Sequence, residues 1–416
     1  MPSDVELEVG QMAMGGGCAA KAPDGRVVFV RHALPGERVR ARVTEQRARY
    51  LRADAVEILD VSRDRVTAPC PHAGPGHCGG CDWQHVELGA QRRLKAALVA
   101  EALRGLARLE VAPVVEPVPG DVDGLGWRVR ARFAADDRGR LGFRRYRSHA
   151  LELVNECRIA SERVEALGPE RRLWPGAAEV EAIALGGETL CRVARVNSRL
   201  RSPNVFQVDG GLVIDRQPVQ GPGWLHEDVA GRRFRVSAGS FWQVHVGAPE
   251  LLSDVVLGGL DPQPGEAAVD LYAGVGLLAA ALGERVGPKG SVLAVERGPR
   301  AHADLVANTA DLPQLSALRA SVTPRLMASG LGKADLVLLD PPRSGAGTAV
   351  MAALAELRPP PRRVGYVSCN ATTFARDLRV LLDHGWALDS LRAFDMFPMT
   401  EHVELVGFLV PPDSTG

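Results

Sequence analysis

The residues best equipped to make and break bonds lie near the end of the chain. Gly365-Tyr366-Val367-Ser368-Cys369-Asn370 is an apolar, strand-like run that ends in a thiol flanked by hydrogen-bonding groups. Open α/β sheets place ligands at the carboxyl ends of their strands, so Cys369 is a candidate nucleophile. Taken alone, a free cysteine is more often a small buried hydrophobe. Two further segments shift that balance. Ala334-Asp-Leu-Val-Leu-Leu-Asp340-Pro-Pro-Arg343 reads as a buried strand ending in an acid and a rigid proline turn, which aims Asp340 at the same crevice. Asp395-Met-Phe-Pro-Met-Thr-Glu401-His-Val-Glu404 supplies two candidate bases, Glu401 and Glu404.

Upstream, Ala268-Val269-Asp270-Leu-Tyr272-Ala-Gly274-Val-Gly276 reads as a strand, an acid and a glycine turn opening an Ala/Leu-rich helix. Val292-Leu-Ala-Val-Glu296 follows about twenty residues on and ends a second strand in an acid able to take ribose hydroxyls. The turn lacks the full dinucleotide fingerprint, and an acid directly before it resembles the adenosylmethionine-dependent methyltransferases instead. A separate centre is Cys70-Pro-His-Ala-Gly-Pro-Gly-His-Cys78-Gly-Gly-Cys81, three thiols on a glycine-rich turn, with Cys157 the nearest fourth sulfur in sequence. Zinc and iron-sulfur sites share such a ligand set. An odd total of seven cysteines, mostly clustered, suits metal binding and catalysis better than a disulfide framework.

The elements that must position these groups follow from patterning. The chain has 416 residues, 46% hydrophobic and 24% charged, enough for two or three globular domains. Lys+Arg equals Asp+Glu at 50 each, so net charge selects no partner. Residues 5–9, 26–30 and 37–43 read as short strands between turns, a small β-barrel. Six arginines against Glu45 between Arg38 and Arg52 could face nucleic acid or simply solvate a strand. Residues 86–108 have helical spacing. Trp127 to Arg147 interleaves eight arginines with Phe133, Phe143 and Tyr146 around an Asp137-Arg-Gly139 hairpin turn, a pattern that suits RNA. Residues 160–235 read as mixed strand and loop, with Cys191 in the core. From Ala267 the pattern becomes βαβ. No uninterrupted apolar run reaches the ~18 residues of a membrane span, and the expected location is cytoplasmic.

In this order and spacing, the motifs resemble the adenosylmethionine-dependent RNA uridine C5-methyltransferases of the TRAM-domain, iron-sulfur type. The resemblance rests on the four cysteines, Ser240-Phe-Trp-Gln243, Asp270 to Gly276, Glu296, Asp340-Pro-Pro-Arg343, Ser368-Cys369-Asn370 and Phe397 to Glu404. It implies a multidomain α/β chain: a TRAM β-barrel at 1–62, a central mixed α+β iron-sulfur and RNA-binding domain at 63–237, and a Rossmann-like class I methyltransferase domain at 238–416. It implies that Gln243, Asp270, Tyr272, Gly274, Glu296 and Asp340 line the S-adenosylmethionine and substrate pocket. Cys369 becomes the nucleophile, Glu404 rather than Glu401 the base, and Cys70, Cys78, Cys81 and Cys157 the ligands of a 4Fe-4S cluster. The implied partner is RNA, ribosomal RNA favoured with transfer RNA also open, met by a monomer.

The chemistry supports this assignment independently. Uracil C5 is a weak nucleophile until a thiolate adds to C6, and the methylated adduct then needs a carboxylate to remove the C5 proton. A base stacked in RNA hides both faces of its ring, so the uridine must be flipped out. Two other readings remain open from residues alone. Asp340-Pro341-Pro342 is also a feature of exocyclic-amino methyltransferases, although Arg343 stands where those have an aromatic residue. A non-catalytic RNA-binding protein would use the barrel and cysteine loop but would have no need of Cys369.

Overall fold

The computed structural model of this chain describes residues 4–195 and 208–412. Tight turns and alternating apolar residues curl Asp4–Glu8, Met12–Ala13, Gly17–Lys21, Val27–Arg31, Arg38–Gln46 and Tyr50–Asp60 into one six-stranded sheet. Leu7, Val28, Val30, Val39, Ala41 and Leu51 point inward and close its core. Most of the arginines expected on this face are paired with acids. Arg38 pairs with Asp60, Arg40 with Glu57, Arg42 with Asp4 and Arg47 with Glu45, so the strands carry a neutral ladder of solvated ion pairs.

The helix Leu88–Ala102 starts where the Glu87 carboxylate accepts the amide protons of Gly89 and Ala90, and it runs on through a wider turn at Leu103–Ala107. Its apolar side shares a core with Phe374 and Leu378 of the C-terminal part of the chain. Seven further strands, from Arg130–Ala135 to Gln217–Gln220, form a sheet across the stretch read as mixed strand and loop, of which 196–207 lie outside the described residues. Cys191 is in that core, as expected. The aromatic half of the RNA-binding hairpin expectation is corrected here. Phe133 is 1% exposed and stacks on Phe143 at 4.6 Å, in a core closed by Val164 and Trp174. Alternation turns those rings inward and leaves mainly arginines outside.

The C-terminal sheet positions the chemistry. Labelled in chain order, its strands are β1 (Val115–Pro117), β2 (Ala267–Leu271), β3 (Ser291–Val295), β4 (Leu315–Leu318), β5 (Leu336–Leu339), β6 (Arg363–Ser368), β7 (Ala387–Asp395) and β8 (Glu404–Val410). Their order is β4-β3-β2-β5-β6-β8-β7-β1. Strands β2 to β6 run parallel, and β8 lies antiparallel between β6 and β7. Both faces are covered, which is why Leu336 to Leu339 is wholly apolar and 0% exposed throughout.

Candidate active site

The chain leaves β2 for β3 and β4 and then returns to β5 on β2's other side. Ligands of open α/β sheets lie at the carboxyl ends of strands flanking such a reversal. Here β2 runs out into Tyr272, a non-glycine residue held at φ 67°, then Gly274 at 56° and Gly276 at 95°. The two glycines serve different needs. A Cβ on Gly276 would stand 2.7 Å from Leu305 Cδ1, so that glycine lets the turn pack on the next helix. A Cβ on Gly274 would meet nothing within 4 Å, so that glycine borders open space. Gly274 donates its amide proton to Glu296 Oε2 at 3.0 Å, and Gly298 donates to the same carboxylate, which ties the ends of β2 and β3 together.

The crevice is acidic. Asp270 is 1% exposed with no hydrogen-bond partner on either oxygen, and burial, then Asp340 and Glu296, raises its pKa well above the ordinary value. Asp340 extends β5 beside it and is pushed up to about 7 by burial. Desolvated acids this close together favour a cationic guest. Gln243 is buried in a segment suspended from Asp304. The Asp304 carboxylate accepts from the Ser237 amide at 2.9 Å, from the Ser237 hydroxyl at 2.8 Å and from the Ser240 hydroxyl at 3.0 Å.

Strands β6 and β8 pair from Val364 opposite Leu409 to Ser368 opposite Leu405. One step further in that register, Cys369 faces Glu404. Directly opposed residues hold their Cβ atoms about 4.5–5.5 Å apart. The Cys369 thiol is raised to about 11, chiefly by burial and then by the Glu404 carboxylate, against the pull of Arg343. Glu404 is 4% exposed, and burial and then Asp340 raise its pKa well above the ordinary value against the pull of Arg343. Glu401 lies on another side of the loop. Its Oε2 is 3.5 Å from where a Gly16 Cβ would stand, and its charged neighbours are Asp82, Arg31 and Arg343. The Asn370 side chain caps the helix Ala371–Asp383, accepting from the Thr373 amide at 3.0 Å.

Cys70, Cys78, Cys81 and Cys157 are free thiols lining one cavity with Gln84, Phe143 and Ile159. Burial raises all four, Cys157 to about 12. Thiolates in that setting need a bound cationic group to offset their desolvation, so the donor set fits a metal centre. Among the described residues, no three His, Cys, Asp or Glu side chains converge where a single ion could sit.

Comparison with known proteins decides the family. Residues 5–56 match the TRAM domain, and residues 330–411 match the tRNA (Uracil-5-)-methyltransferase family. An uncharacterized RNA methyltransferase of Streptomyces coelicolor is 47% identical, over 98% of this chain and 93% of its own. A 23S rRNA (uracil(1939)-C(5))-methyltransferase of Alkalilimnicola ehrlichii is 33% identical, over 92% and 91%. The chain belongs to the adenosylmethionine-dependent RNA uracil-C5-methyltransferase family. The fold agrees: the crystal structure of Pyrococcus abyssi tRNA (uracil-54, C5)-methyltransferase with S-adenosyl-L-homocysteine superposes with a TM-score of 0.72 at 22% identity, covering 97% of this chain and 99% of that one. As a family member the chain is an RNA methyltransferase that uses S-adenosylmethionine. No helix among the described residues is long and apolar enough to cross a membrane.

For this methyltransferase, the crevice also depends on residues that motif reading passed over. Asp304 anchors the Gln243 segment. Asp377 accepts from the Tyr366 hydroxyl at 2.7 Å and the Gly347 amide at 3.1 Å, fixing the loop after Asp340 to β6. Arg343 is exposed at the mouth and bears electrostatically on Cys369, Glu401, His402 and Glu404. Only Arg343 had a sequence signal, its place directly after the Asp-Pro-Pro turn.

Proposed function

We propose that this enzyme transfers the methyl group of S-adenosylmethionine to C5 of a uridine in structured RNA through a covalent Cys369–C6 adduct. Ribosomal RNA is the preferred substrate, a choice supported by the 33% identical relative named for 23S rRNA. What supports the mechanism is the β6–β8 register, whose last pair is Ser368 opposite Leu405 with Cys369 and Glu404 next along each chain, together with the effect of the Glu404 carboxylate on the thiol.

The Cys369 thiolate adds to C6 and makes C5 a carbanion, which displaces the methyl group from the sulfonium. Glu404 then takes the C5 proton, the C5–H electron pair re-forms the C5–C6 double bond, and Cys369 leaves as thiolate. Glu296 serves the ribose of the cofactor, Gly274 gives its backbone close approach, Gln243 and Tyr272 line the pocket, and Asp270 and Asp340 offer negative potential to the sulfonium. The four cysteines hold a 4Fe-4S cluster, whose sulfur ligands spread more widely than those of one tetrahedral ion. The cluster's part is to organise the fold. The units 1–62, 63–237 and 238–416 act together in a monomer, since thiol, base and acids all come from one chain.

The test is RNA carrying 5-fluorouridine at the target. Fluorine cannot leave C5 as a proton does, so methylation should halt at a denaturation-resistant protein–RNA conjugate, absent in Cys369→Ala. Fluorinated RNA that yields no conjugate under conditions where ordinary RNA is methylated overturns the covalent reading.

A further inference from the structure

The loop between β7 and β8 carries the proposed base into the crevice, and it is gripped by residues some three hundred positions upstream. Met399 lies in this loop at φ 66°, a left-handed conformation that a side chain this large adopts only when its surroundings impose it. Two partners impose it. The Met399 amide donates to Gln91 Oε1 at 2.8 Å, and the Met399 carbonyl accepts from the Trp83 amide at 3.0 Å. Gln91 is 0% exposed, and its own amide group is held in turn. Nε2 donates to the Val86 carbonyl at 2.9 Å and the Trp83 carbonyl at 3.3 Å, and lies 3.3 Å from Met399 Sδ. One turn along the helix, Lys95 Nζ fixes the start of the loop through Asp395 at 2.5 Å and the Phe397 carbonyl at 3.0 Å.

Glu404 opposite Phe394 is the final pair of the β7–β8 ladder. The chain enters the ladder at that pair straight from the loop, so the loop's conformation bears on how Glu404 is presented to the crevice. We propose that Gln91 is a positioning residue for proton abstraction: by locking Met399 left-handed it sets Glu404 against C5 of the methylated adduct. This rests on the reading of Glu404 as base. The hydrogen bonds of Gln91 go to Trp83, Val86 and Met399, none of them on β6, at whose end Cys369 lies. The two chemical steps therefore depend on Gln91 unequally. Loss of its carboxamide should leave addition and methyl transfer largely intact and slow the step that frees the product.

The experiment compares Gln91→Leu, Gln91→Glu and Glu404→Gln in the full-length protein with ordinary target RNA. Methyl transfer in the first turnover and decay of the denaturation-resistant protein–RNA adduct are timed separately, with thermal melting as a control. Displacing a catalytic group by ~1 Å slows its step by up to about a hundredfold. Gln91→Leu should therefore slow adduct decay by about tenfold to a hundredfold, while first-turnover methylation changes by no more than about threefold. A buried, protonated glutamic acid keeps one acceptor and one donor, so Gln91→Glu should restore most of the decay rate. The two variants also guard against misfolding, because Gln91→Glu preserves the shape, the acceptor for the Met399 amide and one of the two donated bonds. If Glu404→Gln accumulates adduct and Gln91→Leu does not, the positioning role is refuted and the base stands. If Glu404→Gln accumulates none, the base reading fails and the role of Gln91 falls with it. Equal slowing of both steps in Gln91→Leu alongside a lowered melting temperature, unrelieved in Gln91→Glu, makes Gln91 merely structural and likewise overturns the proposal.

Discussion

Cys369 should be a slow thiol in the resting enzyme, and the structure says by how much. Its ordinary value is 9.0; burial pushes it up to about 11, with Glu404 adding to the rise and Arg343 opposing it. At pH 8 an ordinary thiol of that kind is about 9% thiolate, and one at about 11 is roughly 0.1%, a difference of about ninetyfold. The perturbation is pH itself. Alkylation of Cys369 by iodoacetamide, followed by peptide mapping to separate it from the other six cysteines, should climb about tenfold per pH unit from pH 7 to beyond pH 10. Steric shielding would scale all the rates alike and leave this slope untouched. Arg343→Gln removes the cation that draws the thiol down, so its curve should shift to still higher pH. Alkylation that levels off near pH 9 would refute the reasoning and show a thiol that burial has not raised.

Two other outcomes follow from buried charge. Asp340 is raised from 3.8 to about 7, so it is neutral below pH 7 and charged above. From this group alone, stability falls as pH climbs from about 4 to about 7. Binding a sulfonium favours the charged form, so calorimetric affinity for S-adenosylmethionine should weaken about tenfold from pH 8 to pH 6, less so for S-adenosylhomocysteine, and the dependence should flatten in Asp340→Asn. The pair of Lys95 and Asp395 is 0% exposed on both sides. Lys95→Met leaves a buried carboxylate without its main partner and should lower unfolding free energy in urea by about 3–5 kcal/mol, whereas Lys95→Met with Asp395→Leu should recover much of that.

How much of this could be read from the residues alone depends on how local each signal is. The glycine turn after Asp270 and the thiol closing β6 announce themselves, because a tight turn and a nucleophile at a strand end are features of adjacent residues. The choice between Glu401 and Glu404 is different. Both sit in one short segment, and only the register of β8 against β6 sets Glu404 across from Cys369 while Glu401 turns toward the barrel at Gly16. In sequence, Gln91 and Lys95 are two polar residues in a stretch of helical spacing, and nothing adjacent marks them. Their partners Met399 and Asp395 are 308 and 300 positions away, a separation over which periodicity carries no information. The basic hairpin is legible only in part for the opposite reason. A second layer covers its far face, so Phe133 and Phe143, which alternate with arginine in sequence, become core instead of a platform for bases, while Tyr146 stays half-buried under Arg31.

The electrostatics of the crevice give the proposed cycle a direction. Asp270, Asp340 and Glu404 all lie above their ordinary pKa values because burial disfavours their charged forms, and each is raised further by a neighbour in the set except Asp340, which burial alone moves. A bound sulfonium supplies the positive charge that lets them ionise, so the base is readied by the same molecule that brings the methyl group. Methyl transfer turns the sulfonium into a neutral thioether and removes that charge. The ionised acids are then left desolvated without a cation, and the readiest relief is for one to take up a proton. Glu404, the proposed base, is one of these acids, so the loss of charge on the cofactor itself raises the basicity of the group that must act next. On this argument proton abstraction follows methyl transfer because the transfer creates the driving force for it, and S-adenosylhomocysteine is held less tightly than the substrate it came from.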